Sequence, residues 1–349
     1  MSILAQLFVR ILVRKGDSVK IGLIDVDGHN FPNLPQMKIS AWHKAQGDTV
    51  ERFWGWEQYD KVYMSKVFDD TYTADHAVPA NAQIVIKGGT GYFRRTKAGN
   101  AEIFCDGQWI DIGDQSSYCV GNTVYWERLP DEIEKSFPDY SLYPELTGDT
   151  AYGFLTRGCP NNCGFCGVSP KEGRISCKVA DLSQWWDGQK NIVLCDPNLL
   201  ACRDHMDLLM QLEESKAWVD VNQGFDARLL TPENIAAIKR IKIKEIHFAW
   251  DQMKNSKRII QGLNTWKQYG KKNSHGAWGT VYVLTNFDTT MAENLYRIYT
   301  LQKMGFAPYV MVYDKPNAPY EIRLLQRWCN NKVIFKSCPR FEDYDPKKG

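Results

Sequence analysis

Apolar runs with the length of buried strands alternate with helical segments along the second half of the chain. Six such runs occur from residue 153 onward; the first ends at a cysteine-rich loop, and each of the other five is followed by a segment with helical character. Strands that alternate with helices predict a parallel sheet with right-handed crossover connections. Six units are fewer than the eight of a closed barrel, so the pattern favours an α/β fold of the (β/α)6 partial TIM barrel type. The predicted strands are residues 153–156, 191–196, 218–225, 245–251, 279–285 and 307–314.

Two of the predicted helices begin with recognisable capping residues. Thr231 is followed by Pro232, which is the arrangement of an N-cap residue and a proline at the first helical position. Thr290 and Glu293 have the spacing of a capping box, in which two side chains satisfy free amides of the first turn. These signals predict that helices start directly after Thr231 and Thr290.

The first 145 residues have a different pattern and predict a separate, smaller α/β domain. Between about residues 93 and 128, short alternating runs flank Asp106-Gly107, a pair that favours a tight hairpin turn. We therefore expect a first domain at 1–145 with a β-hairpin insertion at about 93–128, and a second domain at 146–349. The predicted strands of the first domain are residues 19–26, 49–53, 61–67 and 84–87, and its predicted helix is 37–46.

Composition narrows the class of protein. The chain has 349 residues, enough for about two domains, and 44% of them are hydrophobic. Its 43 basic and 41 acidic residues give a net charge of +2, so a nucleic-acid partner is not indicated. Arg10 interrupts the apolar run near the N-terminus and no apolar run is long enough to span a bilayer, so we expect neither a signal peptide nor a membrane partner. Ten cysteines in a chain of this size need no disulfide framework and fit a reducing cytoplasm.

Three cysteines directly after the first predicted barrel strand are the strongest chemical signal. Cys159, Cys163 and Cys166 form a CxxxCxxC motif, and thiolates prefer soft metals. Three ligands leave an iron–sulfur cluster with one iron that the protein does not bind, and that iron is open to a substrate or cofactor. A structural zinc site is the alternative, with Cys177 or a distant residue as its fourth ligand.

The CxxxCxxC spacing, with the aromatic Phe165 before the third cysteine, resembles the radical S-adenosylmethionine (SAM) superfamily. The resemblance implies a 4Fe–4S cluster on Cys159, Cys163 and Cys166, with SAM chelated by the fourth iron. It also implies reductive cleavage of SAM to a 5′-deoxyadenosyl radical that abstracts hydrogen from a substrate. An external electron donor such as flavodoxin or ferredoxin is then the expected partner. The family's core is a (β/α)6 partial barrel with its cluster loop after strand one, which agrees with the predicted strands.

The resemblance also implies which residues at the ends of the strands contact SAM. Asp196 or Asn198 stands in place of the family's glycine-rich motif and is expected to accept a hydrogen bond from the ammonium group of SAM. Arg228 is expected to bind the carboxylate of SAM, unless it forms an ion pair with Asp226. Further cofactor contacts are expected from a carboxylate, an amide and the motif's aromatic residue, namely Asp251, Asn286 and Phe165.

The first domain resembles the Rossmann-like (flavodoxin-like) domain that precedes the barrel in cobalamin-binding radical SAM enzymes. The order of residues 31–34 (FPNL) and 87–89 (KGG) supports this resemblance. Asp27-Gly28-His29 begins the motif of a lower cobalamin ligand, but Pro32 stands where that motif has glycine. The resemblance allows cobalamin, although a domain this short leads us not to expect it.

Three functions follow from these patterns. The leading hypothesis is a radical SAM enzyme, an oxidoreductase or transferase, that abstracts hydrogen from an unidentified substrate. The second is a cobalamin-dependent radical SAM methyltransferase. The third belongs to another class, namely a non-catalytic protein that binds zinc, an iron–sulfur cluster or a protein partner.

Overall fold

The computed structural model describes residues 18–28, 30–68, 72–96 and 98–347. The chain divides into two units, Met1–Ala151 (unit 1) and Tyr152–Gly349 (unit 2). The apolar run near Arg10, which bears on the signal-peptide prediction, and His29 of the ligand motif lie outside the described residues. Within the part of the chain that is described, every helix is too short or too polar to cross a membrane.

Unit 1 is built on a six-stranded sheet with the order β2-β1-β3-β4-β9-β8. Its first five strands in this order are parallel, and β8 pairs antiparallel with β9 at the edge. A parallel order of 2-1-3-4-5 is that of flavodoxin-like folds, whose ligands bind at the carboxyl ends of the strands. The strands of unit 1 are β1 (Lys20–Asp25), β2 (Thr49–Arg52), β3 (Tyr59–Ser65), β4 (Ala82–Gly88), β5 (Phe93–Arg95), β6 (Ala101–Cys105), β7 (Gln108–Asp111), β8 (Ser117–Val120) and β9 (Thr123–Trp126).

Helix α1 (Leu34–Ala45) covers one face of this sheet. It begins three residues before the predicted helix because the Asn33 side chain accepts from the Gln36 amide (3.2 Å) and Pro35 occupies the first turn. Ile39 of this helix packs with Ile84 and with other residues of the same sheet face.

The other face of the sheet is covered by strands instead of helices. Strands β5, β6 and β7 form a three-stranded antiparallel sheet, and β6 turns into β7 through Asp106 and Gly107, both with positive φ. Phe93 and Ile103 of this small sheet belong to the same core cluster as Val62 of β3. A sheet covered on both faces buries its central strands along nearly their whole length, and β3 and β4 are buried in this way, with apolar centres at residues 62–64 and 84–86.

Unit 2 contains two sheets with parallel strands. One has the order β10-β13-β14-β15, in which β13, β14 and β15 pair in parallel, and the other is the parallel sheet β16-β17-β18. The remaining two strands, β11 and β12, pair antiparallel with each other. The strands are β10 (Thr150–Gly153), which contains the division between the units, β11 (Thr156–Arg157), β12 (Cys177–Lys178), β13 (Asn191–Leu194), β14 (Trp218–Val221), β15 (Lys242–Ile243), β16 (His247–Ala249), β17 (Thr280–Thr285) and β18 (Ala307–Val312).

Both predicted helix starts are confirmed. Thr231 and Thr290 are N-cap residues, and each forms a complete capping box with the residue three positions later.

In unit 1, two short helices follow β9. The helices after α1 are α2 (Asp131–Glu134), α3 (Pro144–Thr147), α4 (Val168–Glu172), α5 (His205–Glu214), α6 (Pro232–Arg240), α7 (Ser256–Tyr269), α8 (Met291–Met304), α9 (Tyr320–Asn330) and α10 (Lys332–Ser337).

The first predicted strand of unit 2, residues 153–156, is displaced in the structure. Strand β10 ends at Gly153, and the amides of Leu155 and Thr156 donate to the Asp196 carboxylate instead of to a neighbouring strand. A side chain that takes two successive amides ends the ladder there. The chain then continues into β11 and the cysteine loop.

Candidate cofactor site

The cysteine loop, residues 158–167, connects β11 with α4 and begins at a glycine that no other residue can replace without strain. Gly158 has φ +85°, and a Cβ atom there would lie 2.2 Å from the carbonyl oxygen of Ile175. The next amide, that of Cys159, donates to the carbonyl oxygen of Gly173 (3.1 Å). Glycine therefore allows the chain to turn sharply into the first cysteine.

Side chains from α4 hold both ends of this turn. Arg157 forms an ion pair with Glu172 (2.7 Å), whose second oxygen accepts from the Gly158 amide (3.1 Å). The Ser169 hydroxyl donates to the carbonyl oxygen of Cys159 (2.8 Å). The backbone of the first cysteine is thus fixed by two hydrogen bonds, through its amide and its carbonyl oxygen, that do not involve its thiol.

The three thiols are free, partly buried and close enough to influence one another. Burial raises the pKa of the Cys163 thiol, and the charges of Asp251, Cys166 and Cys159 raise it further, whereas Arg228 lowers it. Burial likewise raises the pKa of Cys166. Among the described residues, no three His, Cys, Asp or Glu side chains are grouped closely enough to hold one metal ion.

Asp196 lies behind the loop and is fully buried. Its two oxygens accept from the amides of Leu155 (2.8 Å) and Thr156 (2.7 Å) and from the Thr156 hydroxyl (2.5 Å). Burial raises the pKa of Asp196 to about 6, although these hydrogen bonds favour the charged form. The carboxylate expected to accept from SAM thus holds the segment between β10 and β11.

Asn198, the other residue expected at this position, lies against the first cysteine. Its side-chain nitrogen is 3.8 Å from the Cys159 sulfur and donates to the Asp226 carboxylate (3.2 Å). Its side-chain oxygen is buried and has no hydrogen-bond partner among the described residues. A buried amide oxygen without a donor is uncommon and suits a ligand that brings one.

Arg228 forms the ion pair with Asp226 that the sequence left open. Two guanidinium nitrogens bind the two carboxylate oxygens, at 2.8 and 2.6 Å, and Asn161 of the cysteine loop donates to the same carboxylate (3.2 Å). Burial alone would raise the pKa of Asp226, but Arg228 holds it below its usual value. The charges of Cys163 and Cys159 also act on Arg228, so this cation faces the thiols while it is paired.

Asp251 follows β16, and its charge acts on both Cys163 and Cys166. Burial raises the pKa of Asp251 to about 6, even though Arg297 opposes the shift. Arg297 is fully buried, and burial lowers its pKa to about 10. It donates to the carbonyl oxygens of Asp251 (3.1 Å) and Leu284 (2.8 Å), which joins the ends of β16 and β17.

An aromatic row connects the cysteine loop with the ends of β17 and β18. Phe165 packs edge-on against Phe287 (ring centroids 5.6 Å apart), which packs edge-on against Tyr313 (5.0 Å). Asn286 adopts φ +63°, and its side-chain amide nitrogen donates to the carbonyl oxygen of Tyr313 (2.8 Å). The structure thus places the Asn286 amide against the backbone after β18.

The structure brings the three cysteines together with Asn198, Arg228 and Asp251. Asn161, Asp226 and Arg297 belong to the same surroundings but were not predicted as site residues. The sequence suggested Asp226 only as a partner for Arg228. Its position two residues before an arginine at the end of a strand could have identified it as a site residue. Arg297 lies on the face of α8 that also buries Asn294, Ile298 and Leu301, so helical spacing is the signal that could have identified it.

No protein-family model matches this sequence, and no curated protein is significantly similar to it. Two solved structures of TsrM from Kitasatospora setae, a radical S-adenosylmethionine methyltransferase, have a similar fold. The structure with cobalamin and a 4Fe-4S cluster bound has a TM-score of 0.58 at 10% identity, over 85% of this chain and 75% of that one. The structure with tryptophan substrate and a SAM analog (aza-SAM) bound has a TM-score of 0.56 at 10% identity, over 84% and 73%.

At 10% identity this similarity concerns the fold alone. A match over 85% of the chain includes parts of both units, because neither unit alone is that long. The chain is therefore a mixed α/β protein whose fold is similar to that of TsrM, and the predicted resemblance is confirmed at the level of the fold.

Proposed function

We propose that this protein is a radical SAM enzyme whose cluster is held by Cys159, Cys163 and Cys166. The observation that carries the proposal is the convergence of three partly buried thiols, an amide oxygen without a donor and a cation at one end of the unit 2 strands. The similarity in fold to TsrM supports it.

The donor set fits an iron–sulfur cluster. Each thiolate of such a cluster binds a different iron, so the three sulfur atoms need not converge on a single ion. When bound, a 4Fe–4S cluster supplies the electron that reductively cleaves SAM to a 5′-deoxyadenosyl radical. Gly158 and Glu172 hold the start of the loop, and the Phe165 ring near its end packs against Phe287, which follows β17.

The residues around the thiols suit the charged groups of SAM. The Asn198 side-chain oxygen can accept from an ammonium group, and the Arg228 guanidinium can attract a carboxylate. We assign the ammonium contact to Asn198 and a positioning role to Asp196, because both Asp196 oxygens accept from the chain itself. The Asp251 carboxylate is the acceptor that remains for a sugar hydroxyl.

We also propose that the partial barrel consists of β10, β13, β14, β16, β17 and β18. The hydrogen bond from the Phe225 amide to the carbonyl oxygen of His247 (2.8 Å) joins the segment after β14 to β16, which supports one continuous wall. On this assignment the site lies at the carboxyl ends of the strands, where barrel enzymes place their chemistry. Unit 1 then corresponds to the predicted first domain, and unit 2 to the barrel.

Cobalamin-dependent methyl transfer is a second candidate reaction, and a surface of unit 1 favours it. At the carboxyl ends of β1 and β3, Phe31, Val67, Phe68 and Tyr72 expose large apolar side chains, and Phe68 contacts Tyr72. Such a patch suits the face of a corrin ring, and it lies at the strand ends where flavodoxin-like folds bind ligands. When bound, cobalamin supplies a carrier for a methyl group.

The glycine-rich residues 88–91 do not form the open phosphate cradle that their composition allows. A Cβ atom at Gly89 would lie 2.2 Å from the carbonyl oxygen of Lys66, and one at Gly91 would lie 2.4 Å from that of Phe68. These glycines therefore allow close packing against the chain after β3. The proposed corrin surface rests on the aromatic residues and not on this turn.

Anaerobic reconstitution with iron and sulfide tests the proposal. We expect about four irons per chain, and 5′-deoxyadenosine after addition of SAM and either dithionite or a reduced flavodoxin. Replacement of Cys159, Cys163 and Cys166 by alanine should abolish both results. If methyl transfer is the reaction, S-adenosylhomocysteine should accumulate when the substrate and cobalamin are present.

Three other cysteines provide the matched control. Alanine at Cys119, Cys177 and Cys338, which are exposed or partly exposed, should leave iron content and SAM cleavage unchanged. One zinc per chain that depends on Cys177, with no iron, would contradict the proposal and support the structural zinc site.

A further inference from the structure

The two faces of the unit 2 sheets differ in chemistry. Along β17, Val281, Val283 and Thr285 are fully buried, whereas the residues between them are partly exposed. Helices α8 and α9 pack against β17 and β18, so the buried side chains point toward the helices. We call the opposite side the open face and define it by Tyr152, Asp220, His247, Tyr282 and Tyr309.

The residues of β16, β17 and β18 on the open face contact one another. The Tyr282 hydroxyl lies 3.1 Å from His247 Nδ1, and His247 Nε2 lies 3.2 Å from the Glu245 carboxylate. Tyr282 pairs with Tyr309 across the strands, and their rings pack edge-on with centroids 5.7 Å apart. The histidine thus holds the orientation of the Tyr282 ring.

Asp220 brings a negative charge to these rings. It lies in β14 between the buried Val219 and Val221, so its side chain is on the open face. Burial and then the Asp220 charge raise the pKa of the Tyr282 phenol, and burial, Cys195 and Asp220 raise that of Tyr152. The carboxylate is therefore near both rings.

Within the described residues, no hydrogen bond or ion pair is made by the Asp220 carboxylate. A partly buried carboxylate without a partner is unfavourable, and a bound cation relieves that cost. Aromatic rings stabilise cations over their faces, most of all where the site is shielded from water. A carboxylate near the rings of Tyr152 and Tyr282, the second of which packs against Tyr309, is therefore complementary to an organic cation.

We propose that the open face binds a substrate with an ammonium group, for which Asp220 is the counter-ion and the rings of Tyr152, Tyr282 and Tyr309 form the surrounding wall. This inference rests on the proposed function, because it names the substrate class of that enzyme. The ammonium group would bind among residues within the strands, on the amino-terminal side of the carboxyl ends where the cysteine loop lies. His247 is a positioning residue, since it acts through Tyr282.

Calorimetric titration of the anaerobically reconstituted protein tests this inference with two probes of equal size. We use 2-phenylethylamine, which is cationic, and 2-phenylethanol, which is neutral. The amine should bind about tenfold more tightly than the alcohol, and Asp220→Asn should reduce this preference to about twofold or less. Asp207→Asn, which removes an exposed carboxylate of α5, should retain the preference.

Two substitutions at Tyr282 separate the aromatic face from the hydroxyl group. Tyr282→Phe should retain the preference for the amine, whereas Tyr282→Leu should reduce it about threefold. Circular dichroism and iron content should match the wild-type protein in both variants, so that a change in preference is not a failure to fold.

The result separates this inference from the proposed function. Equal binding of amine and alcohol, no binding of the amine, or an unchanged preference in Asp220→Asn would overturn the inference even if SAM is cleaved. A tenfold preference that depends on Asp220, in a protein that holds no cluster and cleaves no SAM, would support an organic-cation site on the open face and contradict the proposed function.

Discussion

At the scale of single residues, Asn198 presents two polar atoms with different surroundings. Its nitrogen is near Cys159 and Asp226, whereas its oxygen is buried without a donor. An unsatisfied buried acceptor costs about 1–3 kcal/mol. A ligand that donates to it regains this energy, and the ammonium group of SAM is the donor that the proposed function supplies.

We therefore expect Asn198→Ala to weaken SAM binding about tenfold, because the ammonium loses an acceptor. The iron content should stay unchanged, since no cluster ligand is removed. Equilibrium binding of SAM to the reconstituted protein measures the effect. Asn264→Ala, on the exposed side of α7, is the control, and equal affinities of the two variants would exclude the proposed contact.

Two glycines with nearly the same backbone conformation test the start of the cysteine loop. Gly158 and Gly188 have φ values of +85° and +84°, but of the two only Gly158 would bring a Cβ atom within 4 Å of neighbouring atoms. Gly188→Ala should lower the free energy of unfolding by about 1–2 kcal/mol, the cost of a left-handed residue with a Cβ atom. Gly158→Ala should cost more and also reduce bound iron, because Cβ meets the Ile175 carbonyl.

Urea unfolding and iron analysis of both glycine variants measure this difference. The expected order of stability is wild type, then Gly188→Ala, then Gly158→Ala. If the two variants were equally stable and bound equal amounts of iron, the close packing at Gly158 would have no role in forming the loop.

At the scale of elements, Asp196 joins β13 to the segment between β10 and β11. In the folded protein its carboxyl group keeps a proton up to about pH 6, whereas its ordinary pKa is 3.8. The folded state thus binds more protons between these values, so the contribution of Asp196 to stability falls as the pH rises through this range.

Asp196→Asn removes this titration. Relative to the variant, the wild-type protein should lose up to about 3 kcal/mol of unfolding free energy between pH 4 and pH 6.5. Urea unfolding of the cluster-free protein at several pH values measures the difference. The exposed Asp207→Asn provides the control, and a difference between wild type and Asp196→Asn that does not change with pH would contradict the assignment.

At the scale of the whole molecule, the proposal assigns the two cofactors to different units. The cysteines belong to unit 2, and the aromatic patch proposed for cobalamin belongs to unit 1. Binding of one cofactor should therefore survive loss of the other site.

The variant with alanine at all three motif cysteines should bind hydroxocobalamin as well as the wild-type protein does. Phe68→Ala should weaken this binding about tenfold, since it removes an apolar contact with the corrin. Visible absorbance of the protein after gel filtration measures the cobalamin that remains bound. Phe137→Ala is the matched control, because Phe137 and Phe68 are similarly exposed, at 41% and 43%. Absence of cobalamin from the wild-type protein would leave hydrogen abstraction as the proposed reaction.

The sequence by itself determined most of the elements and the cysteine motif, because both depend on local order. Strand lengths, the capping residues Thr231 and Thr290 and the spacing of three thiols are properties of short segments. The predicted boundaries of the first strand of unit 2 were wrong, since a distant carboxylate, Asp196, accepts from the amides of Leu155 and Thr156.

Only the tertiary structure decided which polar residues meet. Asn161 lies in the cysteine loop, whereas Asp226 and Arg228 lie in the segment after β14, and the Asp220 charge on β14 acts on Tyr282 of β17. Arg297 is buried because the ends of β16 and β17 offer it carbonyl oxygens, and these acceptors lie 47 and 13 residues away along the chain. Pairing across long sequence separations depends on the packing of the whole unit. The sequence alone therefore does not show which distant residues meet.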